Sequence, residues 1–166
     1  MGIRSKKEAP KPKSTEEILN LAISAEMEAH RFYLRAADQA KDSKVRATFL
    51  ALAGDEEGHR LQLEGEFHHL YPRKAFQYLP GASSLHRYLQ RELKELEALA
   101  LAIRAEKEAL SFYQEFQLKV RRTALKKILR TLADFEEGHR RLLEAEYQAR
   151  MGRPWNDLEL DLWVRE

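Results

Sequence analysis

Two segments of the sequence repeat the same acidic and imidazole side chains at the same offsets. Residues 52–64 read LAGDEEGHRLQLE, and residues 132–144, eighty positions later, read LADFEEGHRRLLE. Each contains a Glu-x-x-His pair, and side chains three residues apart on a helix lie on one face, so both groups can bind the same metal ion. A single charged run is more often a solvated helix face, which is the competing interpretation for either copy alone.

Two further segments also repeat at an offset of eighty residues. Residues 25–33 (AEMEAHRFY) and 105–113 (AEKEALSFY) are identical at six of nine positions, and each has a Glu followed seven residues later by a Tyr. A duplicated packing unit would explain the matching apolar positions, but it does not explain the matching Glu and His. The candidate metal ligands are therefore four Glu and two His, namely Glu26, Glu56, His59, Glu106, Glu136 and His139.

In all four segments the candidate ligands interrupt a stripe of apolar residues at helical spacing. The stripes are Leu19-Ala22-Glu26-Tyr33, Phe49-Leu52-Glu56-His59-Leu63, Leu99-Ala102-Glu106-Tyr113 and Leu129-Leu132-Glu136-His139-Leu143. Within each predicted helix pair the two Glu residues lie at similar distances from the turn, roughly 20 Å at about 1.5 Å per residue. All six ligands are therefore expected at one height in the interior of the protein.

Four carboxylates in an apolar interior must be neutralised, because burying even one unpaired charge costs several kcal/mol. The stripes offer no Lys or Arg at these levels, and shared protons alone would not call for two His. Two divalent cations would balance four carboxylates, with neutral imidazole completing the coordination. Carboxylate and imidazole together favour iron or manganese, with a mixed pair, or zinc in vitro, as alternatives.

Four long helices account for most of the chain. The first is expected to start at a capping box formed by Ser14 and to end near residue 40, and the second to run from Asp42 or Ser43 to about residue 69. A crossover at 71–84 follows, and the third helix is placed from Ser83 or Ser84 to about residue 120, either unbroken or with a break. The fourth is placed at 123–151, closed by Gly152 and Pro154.

This order predicts an all-α four-helix bundle made of two repeated helical hairpins joined by a long crossover. The predicted domains are a basic disordered tail at 1–13, the di-metal bundle at 14–152, and a C-terminal extension at 153–166. Trp155 and Trp163 in that extension are expected to pack on the bundle.

Composition limits the function. The sequence has no Cys, which excludes disulfides, thiolate metal sites and Cys nucleophiles. Residues 1–13 carry five basic side chains and one Glu, so the bundle itself is close to neutral, and we expect no nucleic-acid partner. No segment is apolar enough to cross a bilayer, which predicts no membrane partner and a soluble, cytoplasmic protein.

Residues 15–150 resemble the ferritin-like di-iron carboxylate superfamily, and most closely its rubrerythrin-like branch. The motifs that carry the resemblance are a Glu with a Tyr seven residues later on two helices and Glu-x-x-His on the other two. The resemblance implies that Glu26 and His59 are terminal ligands on one side, and Glu106 and His139 on the other. It implies further that two Glu bridge the metals and two Tyr donate to ligand carboxylates, namely Glu56, Glu136, Tyr33 and Tyr113.

The resemblance also implies a function: a di-iron or di-manganese protein that reacts with peroxide or O2 in oxidative-stress defence. The two Tyr are the candidate catalytic residues, although they could equally be core aromatics with a satisfied hydroxyl. Two departures from the rubrerythrin pattern are the absence of a Cys-ligated electron-transfer domain and Ala109, where rubrerythrins carry an additional Glu. An external electron donor is therefore required, and a homodimer is expected.

Other functions remain open at the level of sequence. The two-His pattern also fits bacterioferritin-like sites, manganese catalases and di-iron oxygenases, so the alternatives are ferroxidase or iron-handling activity, an oxygenase, and a purely structural metal site. Among the remaining histidines, His30 is a weak candidate ligand because its counterpart is a Leu, and His68, His69 and His86 are expected at the surface. Two further repeated carboxylates, Glu66 and Glu146, are expected to form salt bridges at the bundle end.

Overall fold

The computed structural model describes residues 11–163, apart from the side chains of Asp161 and Leu162. Its elements are α1 (Thr15–Gln39), α2 (Ser43–Leu70), α3 (Glu95–Phe116), α4 (Thr123–Met151) and a short α5 (Leu160–Trp163). No β-strand occurs within the described residues. The predicted all-α bundle of two helical hairpins is confirmed. Most of the predicted tail, residues 1–10, and the last residues of the predicted extension, 164–166, lie outside the described residues. The assignments of the tail and of the extension therefore stay predictions.

The helix ends follow the local signals in the sequence. The Ser14 hydroxyl accepts from the backbone N–H of Glu17 at 3.1 Å, and the Asp42 carboxylate accepts from the first two free N–H groups of α2. These contacts satisfy N–H groups that have no partner within a helix. At the end of α4, Gly152 has φ +69°, and its N–H donates to the Gln148 carbonyl at 2.9 Å. The predicted bounds of α1, α2 and α4 hold to within one residue or so.

The third helical segment is broken, and its α-helix starts later than the predicted Ser83 or Ser84 and ends at Phe116, about four residues before the predicted end. Residues 84–88 form a 3₁₀ helix, and the α-helix begins eleven residues later, at Glu95. Leu85 and Tyr88 of the 3₁₀ helix are buried in the apolar core beside α1, so this segment packs across the bundle and cannot continue into α3. The Glu95 carboxylate accepts from the backbone N–H of Asp42 at 2.7 Å, which ties the start of α3 to the α1–α2 turn.

A single buried carboxylate holds the crossover against the bundle. Glu28 on α1 is fully buried and accepts hydrogen bonds from the Tyr78 hydroxyl at 3.0 Å and from the backbone N–H groups of Gly81 and Ser83, each at 2.7 Å. Its oxygen also lies 2.9 Å from Nδ1 of His86. A carboxylate with this many donors can stay buried without a metal. Glu28 therefore positions the chain that links the two hairpins.

The core divides into two apolar clusters above and below the middle of the bundle. One is built around residues of α1, α2 and α3 with the 3₁₀ helix, and the other joins the opposite halves of α1 and α2 to α3 and α4. Trp155 and Trp163 pack on the first cluster, where the Trp163 indole N–H donates to the Tyr147 hydroxyl at 3.1 Å. Across the described part of the chain, every helix is too short or too polar to traverse a lipid bilayer.

Two glycines should respond in opposite ways to substitution by alanine. Gly65 lies within α2 with nothing near an added Cβ, so Gly65→Ala should stabilise the protein by about 0.5–1 kcal/mol, the helix-interior cost of glycine. Gly152 has φ +69°, where a Cβ is strained, so Gly152→Ala should cost about 1–2 kcal/mol. Thermal unfolding of the two variants measures both effects. Melting temperatures that shift equally and in the same direction would contradict the assigned backbone conformations.

Candidate metal centre

The six predicted ligands meet in the middle of the bundle, between the two apolar clusters. Each of the four long helices contributes a Glu, and α2 and α4 each add a His one turn later. All six side chains are between 1% and 5% exposed, namely Glu26, Glu56, His59, Glu106, Glu136 and His139. This burial fits the inward-facing stripes and excludes the alternative that the repeated charges form a solvated surface.

Ligand atoms of these six residues form two overlapping groups of four, with all ligand atoms of a group within 4.8 Å of one another. The first group contains Glu26, Glu56, His59 and Glu136, and the second contains Glu56, Glu106, Glu136 and His139. Glu56 and Glu136 belong to both groups, which is the position of bridging carboxylates. The other Glu and the His of each group belong to that group alone, as terminal ligands would.

Both imidazole rings point the same nitrogen into the centre. Nδ1 of His59 lies 3.2, 3.4 and 3.5 Å from carboxylate oxygens of Glu56, Glu136 and Glu26. Nδ1 of His139 lies 3.2, 3.3 and 3.6 Å from oxygens of Glu56, Glu136 and Glu106. The rings are nearly parallel, at an interplanar angle of 21°. The Nδ1 atoms of both rings therefore face the same group of carboxylate oxygens.

The two tyrosines hold carboxylates of the opposite hairpin. The hydroxyl of Tyr33 on α1 donates to Glu106 on α3, and the hydroxyl of Tyr113 on α3 donates to Glu26 on α1. Both rings are completely buried, and burial followed by the charge of the contacted carboxylate raises the pKa of each Tyr well above its usual value. The hydroxyls therefore stay protonated and act as donors to the two terminal carboxylates.

Protons neutralise part of the cluster in the absence of metal. Burial, and then the neighbouring carboxylates, raise the pKa of Glu26 and of Glu106 well above the usual value. Burial also acts to raise the pKa of Glu56, but hydrogen bonds from Glu26, His139 and His59 outweigh it and lower that pKa. The same competition lowers the pKa of Glu136. Protons bound by the carboxylates of the cluster therefore favour Glu26 and Glu106 over the shared Glu56 and Glu136.

The two histidines supply the matching positive charge. Burial acts to lower the pKa of His59, but contacts with the surrounding carboxylates outweigh it and raise this pKa to about 12. The pKa of His139 is raised by the same kind of contacts. Two imidazolium groups thus balance the two ionised carboxylates.

Several buried polar atoms of the cluster nevertheless have no hydrogen-bond partner. Among the described residues these include Oε2 of Glu26, Oε1 of Glu56, Oε1 of Glu136 and Nδ1 of His139. Unpaired buried polar atoms are costly, and native proteins rarely keep them without a ligand or solvent. An oxygen-rich donor set with one imidazole nitrogen per group fits a pair of divalent cations. The buried Glu and His clusters therefore fit a di-metal site.

The outward nitrogens of the two imidazoles have different surroundings. Nε2 of His139 lies 3.2 Å from a carboxylate oxygen of Asp55 on α2. Nε2 of His59 is buried and finds no partner among the described residues, and the nearby ring is Phe135 on α4, with ring centroids 5.1 Å apart. Asp55 and Phe135 occupy equivalent positions, each directly before the shared Glu of its helix. The contact of Asp55 was not anticipated from the sequence.

A cavity of about 880 Å³ lies between α1 and α3 and reaches all four Glu ligands. Its walls are largely small or apolar, with Ala25 and Ala29 from α1 facing Ala105, Ala109 and Phe112 from α3. Because α1 and α3 contact each other far less than each contacts its hairpin partner, the small side chains leave an opening along this seam. The carboxylates thus border this cavity on one side of the bundle.

The remaining histidines lie away from the cluster. Nδ1 of His30 is 2.8 Å from the carbonyl oxygen of Ala53, so this ring joins α1 to α2 and is not among the grouped ligands. His68 and His69 are exposed, as predicted. His86 is also exposed, but it contacts the buried Glu28 of the crossover, which the sequence pattern did not reveal.

Repeated charges outside the centre form ion pairs. Glu66 is paired with Arg122 at 2.5 Å, and Glu146 lies 3.7 Å from Lys44, which agrees with the predicted salt bridges at the bundle end. The Arg after each ligand His is also paired along its own helix, Arg60 with Glu57 and Glu64 and Arg140 with Glu137 and Glu144. These pairs account for the repeated Glu-Glu and Arg positions that do not reach the centre.

Comparison with known structures supports the fold. A hypothetical protein from Pyrococcus furiosus is 28% identical over 86% of this chain and 94% of its own, with a TM-score of 0.77. A hypothetical protein from Methanococcus jannaschii is 16% identical over 96% of this chain and 97% of its own, with a TM-score of 0.66, and this likeness concerns the fold alone. The chain has no significant match among curated proteins.

The family comparison agrees with the ligand geometry. A family model described as Rubrerythrin matches residues 17–93 and 97–158, which include nearly all of the four long helices and all six grouped ligands. The match covers well over half of the chain. The protein is therefore a member of the rubrerythrin family, in the ferritin-like di-iron superfamily.

Proposed function

We propose that the protein holds two iron ions in the buried cluster and reduces peroxide, or O2, in defence against oxidative stress. Manganese or a mixed pair remains compatible with the same oxygen and nitrogen donors. Glu26 and His59 would hold one ion and Glu106 and His139 the other, as terminal ligands. Glu56 and Glu136 would bridge the ions, which the sharing of these two carboxylates between both ligand groups supports.

The charge balance of the cluster is the observation that carries the proposal. Four buried carboxylates and two imidazoles are neutral as a set when four protons are bound, and equally neutral when two divalent cations replace those protons. The protein can therefore exchange protons for metal without a net change of buried charge, which is the costly quantity in a low-dielectric interior. Unpaired oxygens remain in the protonated cluster, so metal satisfies atoms that protons leave without partners.

Bound iron would supply the two electrons that reduce the O–O bond of peroxide, one from each ion, while the protein positions and protonates. Tyr33 and Tyr113 donate to Glu106 and Glu26 and so fix the terminal carboxylates. Both hydroxyls stay protonated next to the reacting centre because burial raises the pKa of each Tyr. The overall balance is one peroxide, two electrons and two protons giving two waters.

The cavity between α1 and α3 provides the route for the oxidant. Ala109 lies in its wall, at the position where rubrerythrins carry an additional Glu, and it leaves the approach to the carboxylates open. The electrons that restore the reduced state would come from a donor outside these 166 residues, which contain no Cys for a thiolate electron-transfer centre. A homodimer in the cytoplasm remains part of the proposal.

Reaction of the reduced, iron-loaded protein with peroxide tests the proposal. Protein loaded anaerobically with two ferrous ions per chain should consume one equivalent of H2O2 and lose its chelatable ferrous iron within one mixing experiment. Glu137→Gln serves as the matched control, since Glu137 lies beside a ligand but pairs with Arg140 at the surface, and it should react like the parent. A loaded protein that leaves peroxide intact on mixing would overturn the proposed activity.

The same experiment separates peroxide reduction from iron handling. A peroxidase should return to two ferrous ions per chain when an external reductant is added and should then consume a second equivalent of peroxide. A ferroxidase or storage protein should instead accept more than two irons per chain over successive additions, with size-exclusion chromatography showing a large assembly. Retention of two ions without any redox change would indicate a structural site.

A further inference from the structure

The two halves of the metal centre differ at a pair of equivalent positions that contact the ligand histidines. Asp55 and Phe135 each stand directly before a shared Glu, eighty residues apart. Asp55 contacts the outward nitrogen of His139, and the Phe135 ring packs against the His59 ring with centroids 5.1 Å apart. Asp55 is 3.2 Å from Nε2 of His139, whereas Phe135 offers the ring of His59 no acceptor. The ligands themselves are the same on both sides, so this difference distinguishes the two metal positions.

We propose that Asp55 is a positioning residue that makes the two metal positions unequal, with the Glu106–His139 position binding its ion more tightly than the Glu26–His59 position. The inference rests on the proposed metal centre and adds the order in which its two positions fill. One equivalent of metal then produces a half-loaded centre with a defined occupied side, instead of a random mixture.

The physical reason lies in what a metal-bound imidazole needs on its other nitrogen. A His that binds through Nδ1 carries a proton on Nε2, and a carboxylate that accepts this proton fixes the ring and increases the basicity of the ligating nitrogen. Asp55 supplies that acceptor to His139. Nε2 of His59 is buried without an acceptor, so its ring lacks both effects. Loss of such an outer partner typically weakens metal binding by about 10- to 100-fold.

The surroundings of both residues allow the comparison to be made experimentally. The Asp55 side chain is 53% exposed and Phe135 is 48% exposed, so exchange at either position leaves the apolar core intact. Phe135→Asp copies the Asp55 arrangement onto the His59 side, and Asp55→Ala removes it from the His139 side. Asp55→Asn keeps an oxygen acceptor without the charge, and it should retain most of the effect if orientation is the main contribution.

Titration of the metal-free full-length protein with Co²⁺, followed by calorimetry and by visible absorption, tests the inference. The parent should bind two ions in two steps whose affinities differ by about 10- to 100-fold. His139→Ala should remove the tighter step and His59→Ala the weaker one. Asp55→Ala should weaken only the tighter step, so its two ions should bind with similar, low affinity. Phe135→Asp should strengthen only the weaker step, so its two ions should bind with similar, high affinity.

Each remaining result has a defined meaning. Two equal steps in the parent, loss of the tighter step in His59→Ala, or an unchanged isotherm in Phe135→Asp would overturn the inference while leaving a two-metal centre in place. Absence of any Co²⁺ binding would instead overturn the proposed metal centre itself, together with this inference. A purely structural role for Asp55 would change thermal stability without changing the separation between the two binding steps.

Discussion

Binding of Mn²⁺ to the metal-free protein should raise the melting temperature. When free Mn²⁺ is present at a thousand times the dissociation constant of a site, one bound ion should raise it by roughly 8–16 °C, and the second ion should raise it further. Such an excess stabilises a protein by about 4 kcal/mol per site, because metal binds the folded centre and not the unfolded chain. Manganese is the suitable probe because it avoids oxidation during heating. Chelation with EDTA should reverse the shift.

The variant Glu26→Gln/Glu106→Gln isolates the metal contribution. Both carboxyls are protonated in the metal-free protein because burial raises the pKa of each, so a neutral amide of the same shape should leave the metal-free melting temperature nearly unchanged. Each amide oxygen can still accept from Tyr113 or Tyr33. The Mn²⁺-dependent rise should largely disappear, whereas Glu137→Gln should keep it. Equal rises in all three proteins would show that Mn²⁺ acts elsewhere.

Metal binding at pH 7 should release about four protons for every two ions, because metal requires deprotonated ligands. The four protons are those held by Glu26, Glu106, His59 and His139 in the metal-free cluster. Calorimetry in two buffers of different ionisation enthalpy counts the released protons. A value near zero would show that the four groups are already deprotonated, in conflict with the raised pKa values.

The same groups determine how stability depends on pH. The pKa of His59 is raised from an unfolded value near 6.5 to about 12, so its stabilising effect is complete below pH 6.5 and is lost as pH rises toward 12. The raised pKa values of Glu26 and Glu106 also stabilise the fold at low pH, and this stabilisation is lost as pH rises above about 4.5. The metal-free protein should therefore become less stable between pH 5 and pH 9.

The metal-loaded protein should show the opposite trend. Deprotonation favours metal binding, so the Mn²⁺-dependent rise in melting temperature should increase from pH 5 to pH 8. Melting curves of both forms over this range test the sign directly. A metal-dependent rise that is constant with pH would mean that metal does not displace protons from the cluster.

The sequence by itself determined the helical fold and the six candidate ligands at its centre. Apolar residues at helical spacing put each candidate Glu and His on the inner face of its helix, and local capping residues such as Ser14, Asp42 and Gly152 marked the helix ends. Both signals are local: each depends on residues within a few turns of one another. The height of the ligands followed from the fixed rise of a helix and the short turns within each hairpin.

Only the tertiary structure decided which groups meet across the two hairpins. The crossed contacts of Tyr33 with Glu106 and of Tyr113 with Glu26 depend on how α1 lies against α3, which no local pattern encodes. The same holds for Asp55 beside His139, since an exposed Asp before a ligand Glu resembles any other surface charge.

The crossover shows the same limit for the backbone. The sequence predicts the start of the third helix at Ser83 or Ser84, but Glu28 on α1 accepts from the backbone N–H groups of Gly81 and Ser83 and holds this segment across the bundle. A contact more than fifty residues away in the chain therefore decides where the third helix can begin. Periodicity predicts which side of a helix is buried, whereas the partners on that side are determined by the packing of the whole bundle.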